Sequence, residues 1–217
     1  LKKAYSIFLG VLIFLFILIS AVFCISFSLK YYSHQHEKNG VYEIYGKAVA
    51  DDVTIQIVEY IKSERECLYY PDSNGMNIFT QREIVHMEDV KGLFEFYGRA
   101  RILIIAAVAI SAVFFRKTAY SFVQGVLKGI LMSFVVLLTV CMLAVLNFGY
   151  MFEKFHKIFF RNEFWMLDPG ESIIINILPI NFFVNTALWI FILTLAFTVA
   201  VTVILHAFKK HILDSIY

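Results

Sequence analysis

Two histidines occur where an imidazole could move a proton: His86, in the stretch REIVHMEDVK (82–91), and His156, in FEKFHKIFF (152–160). Imidazole accepts and returns a proton near neutral pH, and a neighbouring carboxylate can fix which ring nitrogen carries it. Glu83 and Asp89 lie three residues before and after His86, which lines all three along one face of a helix. His156 sits among Phe148, Phe152, Phe155 and Phe159, which recur at helical spacing beside the i,i+4 pair Glu153 and Lys157. Simpler explanations compete at both places. Glu83 completes a capping box with Thr80 in the sequence TQRE, and dense phenylalanine also serves packing or anchoring at an interface.

Other chemistries have less to stand on. HQH at 34–36, with His86 and His156, could supply imidazole ligands, but no HExxH or CxxC spacing is present; no metal and no cofactor is expected. No GxSxG surrounds a serine, and Ser33, Ser63, Ser73 and Ser172 lack a diagnostic context. The basic residues are scattered, which leaves nucleic acid without a footprint. Charged residues inside spans would suggest an ion path, but only Lys128, near the end of one, qualifies, so transport is weakly supported.

The elements that must position the histidines follow from hydropathy. The chain has 217 residues, 23 of them phenylalanine, and only 17% are charged. Its mean hydropathy of +0.74 is that of an integral membrane protein. Ala4–Leu29 is uncharged for 26 residues after Lys2 and Lys3, where a crossing helix needs about 20. An uncleaved span is expected there rather than a signal peptide, whose apolar region would be shorter. Ile102–Phe115, Gly129–Tyr150 and Ser172–Leu205 follow. Ile102–Phe115 is short, and it reaches across only if Arg99 and Arg101 extend their charged ends to the interface.

Four crossings put Lys2, Lys3, Arg116, Lys117, Lys209 and Lys210 on one side and every acid but Asp214 on the other, as the positive-inside rule requires. The expectation is a single membrane domain over 1–217, all-α, with four transmembrane helices near 5–29, 99–117, 125–148 and 182–206. Two outer segments, near 30–98 and 149–181, would form an extracytoplasmic helical cap. Both termini would be cytoplasmic in a multi-pass membrane protein. Cys67 is the one cysteine in an outer segment, which gives no disulfide framework.

Within the first outer segment, DDVTIQIVEYIKSERE predicts an amphipathic helix capped by Asp51 or Asp52. Its face of Val53, Ile57, Val58 and Ile61 suits a helix lying on the membrane surface. YYPDSNGMN marks a turn, and a second helix starts at Thr80 and runs on toward the second span. Asp168–Pro169–Gly170 marks a turn in the second outer segment, where Trp165 suits an interface.

FTQREIVHMEDVKGLF (79–94) and FHKIFFRNEFWMLDPGESIIINILPINFF (155–183) together resemble the bacterial lipoprotein intramolecular transacylases. The resemblance covers the outer half of the chain, in matching order and spacing relative to the spans. It implies a small four-span enzyme with its active site at the extracytoplasmic face. It further implies transfer of the sn-2 acyl chain of a diacylglyceryl-cysteine lipoprotein onto its own α-amino group, giving a lyso-form lipoprotein.

On that resemblance His86 and His156 are catalytic: one takes the amine proton, and the other stabilises the oxyanion or protonates the leaving glycerol oxygen. His86 is the first choice of base, oriented by Asp89 or Glu83, and an exchange of the two roles stays open. Asn162, Trp165, Asp168 and Glu171 shape the site or bind substrate, with Asp168 a candidate to hold the ammonium. The implied partners are a diacylated lipoprotein and membrane lipids, and the protein is expected to be a monomer. Two alternatives stay open: a metal-dependent membrane hydrolase and a non-enzymatic scaffold or assembly protein.

Overall fold

A computed structural model describes residues 2–115 and 118–214; Arg116 and Lys117, which belong to the charge asymmetry between the two sides, lie outside the described residues. The described elements are α1 (Lys2–Ser26), α2 (Leu29–Lys38), α3 (Val41–Tyr45), α4 (Lys47–Ile61), α5 (Gln81–Phe114), α6 (Ala119–Leu146), α7 (Phe148–Phe159), α8 (Ile173–Ile177) and α9 (Ile180–Asp214). Among the described residues there is no strand, only one isolated bridge between Pro71 and Asn77. Helices α1, α5, α6 and α9 are long and apolar enough to cross a membrane. In α5 the charged residues Arg82, Glu83, Glu88, Asp89, Lys91, Glu95, Arg99 and Arg101 all precede an uncharged run over residues 102–114, so the part apolar enough to cross is the C-terminal half. The half of α5 that carries His86 lies outside the crossing segment.

The chain divides into two compact units. One is drawn from Leu1–Val22, Gly98–Asn147 and Trp189–Tyr217. Here α1 and α6 approach at backbone contact through small residues four apart: Ser6 and Gly10 on α1, Gly125 and Gly129 on α6. A Cβ at Gly10 would stand 2.9 Å from Gly129 Cα, and one at Gly129 would collide with the Ile7 carbonyl oxygen. Between lipid-facing helices, where tails are as apolar as leucine, such close approach is what packing can gain from. Leu9, Phe14, Val126 and Ile130 fill the space beside it. Tyr5, Phe115 and Phe122 stack in series, with centroids 5.5 and 4.6 Å apart.

The other unit comprises Phe23–Tyr97 and Phe148–Leu188. Its core joins Tyr32, Val41, Leu68, Phe79, Met87, Ile174, Ile177 and Phe182 to the apolar face of α4. Val53, Ile57, Val58 and Ile61 are all buried there, so the face expected to lie on the membrane surface is covered by protein. Leu68, Ile174 and Ile177 supply the apolar partners that the local sequence alone does not reveal. Helix α4 also starts earlier than predicted, after Gly46 at φ 76°. Asp51 is thus inside the helix, where it accepts from Tyr42 Oη at 2.6 Å and pairs with Lys47 at 3.1 Å.

Gly129→Val should destabilise the first unit by about 3 kcal/mol, because backbone meets the new side chain. Gly92→Ala, whose Cβ meets nothing within 4 Å, should be neutral or stabilising. Thermal unfolding in detergent reads both.

Candidate active site

Helix α5 begins as the capping box predicts. Thr80 N donates to Glu83 Oε2 at 2.7 Å, Thr80 Oγ1 donates to the same oxygen at 2.9 Å, and Glu83 N donates back to Thr80 Oγ1 at 3.2 Å. The other oxygen, Oε1, accepts from Ser172 Oγ at 2.6 Å and from Ile174 N at 2.8 Å. Ser172 is itself the N-cap of α8, taking Ile175 N at 3.3 Å. One fully buried carboxylate therefore closes two helix starts and joins segments that are remote in sequence. With both oxygens engaged, Glu83 makes no bond to His86. It holds the helix that carries the histidine.

One turn further on, His86 is buried, with its Nδ1 reaching no hydrogen-bond partner. Its ring stands edge-on to Phe160 at 5.1 Å and 6.0 Å from the ring of His156. Burial, then the nearby His156, pushes its pKa from 6.5 to about 4, against an opposing pull from Asp89. The fold therefore favours the neutral ring of His86. As pH falls below 6.5 an unfolded chain would bind a proton that this site refuses. His86 thus costs the fold stability progressively from pH 6.5 down to about 4, and no further below that.

His156 projects from α7 and is buried. It stacks on Trp165 at 4.8 Å with 27° between the planes, and Phe152, Phe155 and Phe160 border it. Its Nδ1 lies 2.7 Å from the Phe152 carbonyl oxygen. A carbonyl only accepts, so Nδ1 carries the hydrogen and Nε2 keeps the lone pair. Burial lowers the His156 pKa, and the bond to Phe152, which favours the cation, opposes that shift. At neutral pH the site holds two uncharged imidazoles, one with a fixed tautomer.

The remaining predicted residues form the surroundings. Asn162 Nδ2 donates to Asp89 Oδ2 at 2.8 Å and Asn162 Oδ1 accepts from Phe164 N at 3.0 Å, tying α5 to the loop after α7. Arg82 secures the same loop, donating through Nε to Met166 O at 3.0 Å and through Nη2 to Glu163 O, and it lies over the Phe164 ring. Asp168 Oδ1 accepts from Gly170 N at 2.8 Å, closing the predicted turn. Asp168 and Glu171 are exposed. They line a cavity of about 330 Å³ with Thr80, Arg82, Met166, Leu167 and Ser172.

The sequence pattern places Phe152 beside His156 but singles out neither Phe160 nor the bond from Ser172 to Glu83. Of the last two, only Ser172 carries a usable signal, as a serine directly before the apolar run IIINI. Of the HQH pair, His34 is exposed and His36 is buried, with Nε2 3.4 Å from Thr54 Oγ1. Among the described residues no group of three His, Cys, Asp or Glu side chains converges as a metal ion would need.

A multi-pass helical membrane protein with a buried histidine pair is the class that this geometry defines. Residues 7–183 match the family described as lipoprotein intramolecular transacylase Lit, and the chain belongs to that family. The structure is similar to that of the membrane-integral lipoprotein intramolecular transacylase Lit from Bacillus cereus, with a TM-score of 0.75 at 17% identity over 99% of this chain and 94% of that one. A variant of the Bacillus cereus protein in which a histidine is replaced by arginine gives 0.76 at 17% identity, over 99% of this chain and 92% of that one. At such identity the likeness is one of fold. An uncharacterized protein of Aquifex aeolicus (strain VF5) is 29% identical over 129 residues, 59% of this chain and 56% of the relative. The match thus spans little more than half of that relative's length.

Glu83→Ala should lower the stability of the second unit by about 3 kcal/mol, since it strands buried donors. Hydrogen-exchange mass spectrometry should show protection lost together at residues 79–86 and 172–178. Thr80→Ala should loosen only the first of these.

Proposed function

We propose that the protein catalyses an intramolecular O-to-N acyl transfer on a diacylglyceryl-cysteine lipoprotein. The α-amino nitrogen attacks the sn-2 ester carbonyl, a C–N bond forms, and the C–O bond to the glycerol oxygen breaks. The amine proton ends on that oxygen, so mass is unchanged and the product is the N-acyl, lyso-form lipoprotein. Family membership is what supports the substrate. The observation that carries the mechanism is the pairing of two neutral imidazoles, one of them with a fixed tautomer.

Donor and acceptor belong to one molecule, so no acyl-enzyme is needed. Holding them in contact supplies much of the acceleration, because effective molarities of about 10⁵–10⁸ M are reached in favourable cases. An α-ammonium with a pKa near about 8 must lose a proton before attack. His156 is the better base, because its Nε2 holds the lone pair while Nδ1–H donates to Phe152 O. The cation it becomes keeps that bond and passes the proton to the departing glycerol oxygen, while the attacking nitrogen sheds its second proton to water. His86, held neutral by its burial, then donates an N–H to the tetrahedral oxyanion. A neutral imidazole can serve as such an electrophile where its environment keeps its pKa low. This is the exchange of roles that the resemblance leaves open. Trp165 fixes the plane of His156, and Asp89 with Asn162 holds the loop that presents Trp165. The chain acts as a monomer at the extracytoplasmic face of a bacterial membrane, with both termini cytoplasmic.

The test incubates the purified protein with two diacylglyceryl lipopeptides, one carrying heavy acyl chains and the other a heavy peptide, followed by mass spectrometry. The expected outcome is conversion of each to the N-acyl monoacyl form at unchanged mass, with no mixed species. Mixed species, or no conversion by folded protein, would overturn the assignment. His156→Asn should lose about 10²–10⁴ in rate, with the deficit narrowing as pH rises through about 8, where the amine deprotonates unaided. His86→Ala should lose about 10²–10³ at every pH.

A further inference from the structure

In the unit formed from Leu1–Val22, Gly98–Asn147 and Trp189–Tyr217, a cavity of about 250 Å³ opens where α1 and α6 begin. Lys2, Lys3 and Lys128 line it, over a floor of Phe115, Phe122 and Gly125. Among the described residues no acidic side chain lines it, and the sequence stretches of this unit hold a single acid, Asp214. The hydroxyls around it are already committed. Ser6 Oγ donates to Lys3 O at 2.9 Å, and Ser121 Oγ donates to Thr118 O at 3.1 Å. The lysines are therefore its charged donors. Three ammonium groups round one cavity repel one another unless an anion lies between them.

The position of Lys128 sharpens the point. It lies nine residues after Ala119, where α6 begins, which is about 13 Å along the axis. A lysine that far into a crossing helix is costly unless its stem runs along apolar surface and its charge reaches a polar group at the interface. The approach of α1 to Gly125 and Gly129 brings Lys2 and Lys3 to the same place. Lys209 adds to the basic surroundings, with its Nζ 5.1 Å from the Tyr120 ring.

We propose that this cavity binds the phosphate of an anionic phospholipid headgroup, whose acyl chains lie along the exposed apolar surface of the helices. The lysines hold the phosphate as point charges, and the stacked rings of Phe115 and Phe122 form an apolar wall. Bound lipid bridges the starts of α1 and α6. This site is separate from the histidine pair and does not depend on the acyl-transfer reading.

The test is native mass spectrometry of the full chain released from detergent, with phosphatidylglycerol, phosphatidylcholine and inorganic phosphate offered in separate arms. The intact chain should retain phosphatidylglycerol over phosphatidylcholine. Lys3→Gln and Lys128→Gln should each weaken that preference about fivefold, and Lys30→Gln, an exposed lysine of α2, should leave it unchanged. Circular dichroism melting confirms that the variants are folded. Equal retention of the two lipids, or an undiminished preference in a chain carrying both Lys3→Gln and Lys128→Gln, overturns the site. Displacement of the lipid by millimolar inorganic phosphate overturns the headgroup as the ligand.

Discussion

The buried carboxylate of Glu83 is the constraint on which the candidate site depends. A helix leaves its first amide groups without partners, and burying them unsatisfied is expensive. Glu83 resolves this twice, for α5 through Thr80 and for α8 through Ser172 and Ile174. Fixing the start of α5 fixes the rotation of its first turns, and hence the direction in which His86 points. Fixing α8 anchors the far end of the loop that carries Trp165 and Asp168. A carboxylate adjacent to a histidine invites a catalytic label. Here its geometry is that of a positioning residue, and the ring it positions is left with an unpartnered nitrogen.

Around that frame, the environment sets two chemically distinct imidazoles. His156 is held by a backbone carbonyl and by a stacked indole, which together define both tautomer and plane. His86 is held by aromatic packing and burial, which suppress its charge. Proximity reinforces the difference, because a proton on His156 makes one on His86 still less favourable. A site with one oriented lone pair and one neutral N–H suits a reaction in which the substrate brings its own nucleophile and its own ester. Nothing in that division of labour requires a nucleophilic side chain.

Much of this is legible in the sequence. Four crossing helices follow from runs of apolar residues, and the capping box at Thr80 is a local pattern that survives in three dimensions. What is not legible depends on distant partners. The face of Val53, Ile57, Val58 and Ile61 shows that α4 must cover something, but a membrane surface and a protein core present the same demand. Ile174 and Ile177, remote in sequence, decide for the core. Asp51 resembles a helix cap because aspartate before an apolar run often is one. In the fold, Gly46 supplies the break in chain direction and Lys47 already opens the helix, so Asp51 falls in its second turn. The tautomer of His156 is equally invisible, since it rests on the Phe152 carbonyl oxygen, a backbone atom that no side-chain pattern reports. The glycines that bring α1 against α6 stand in the sequence as a four-residue spacing, and only the partner helix gives that spacing its meaning.

The most direct test of the two-imidazole account is ¹⁵N NMR of histidine-labelled protein in detergent micelles, titrated in pH, with His86→Asn and His156→Asn chains used to assign the two rings. The account predicts that at about pH 7 His156 is neutral, with hydrogen on Nδ1 and a bare Nε2, and that His86 stays neutral until the pH approaches about 4. A charged ring at either position at neutral pH, or hydrogen on Nε2 of His156 in place of Nδ1, would contradict it.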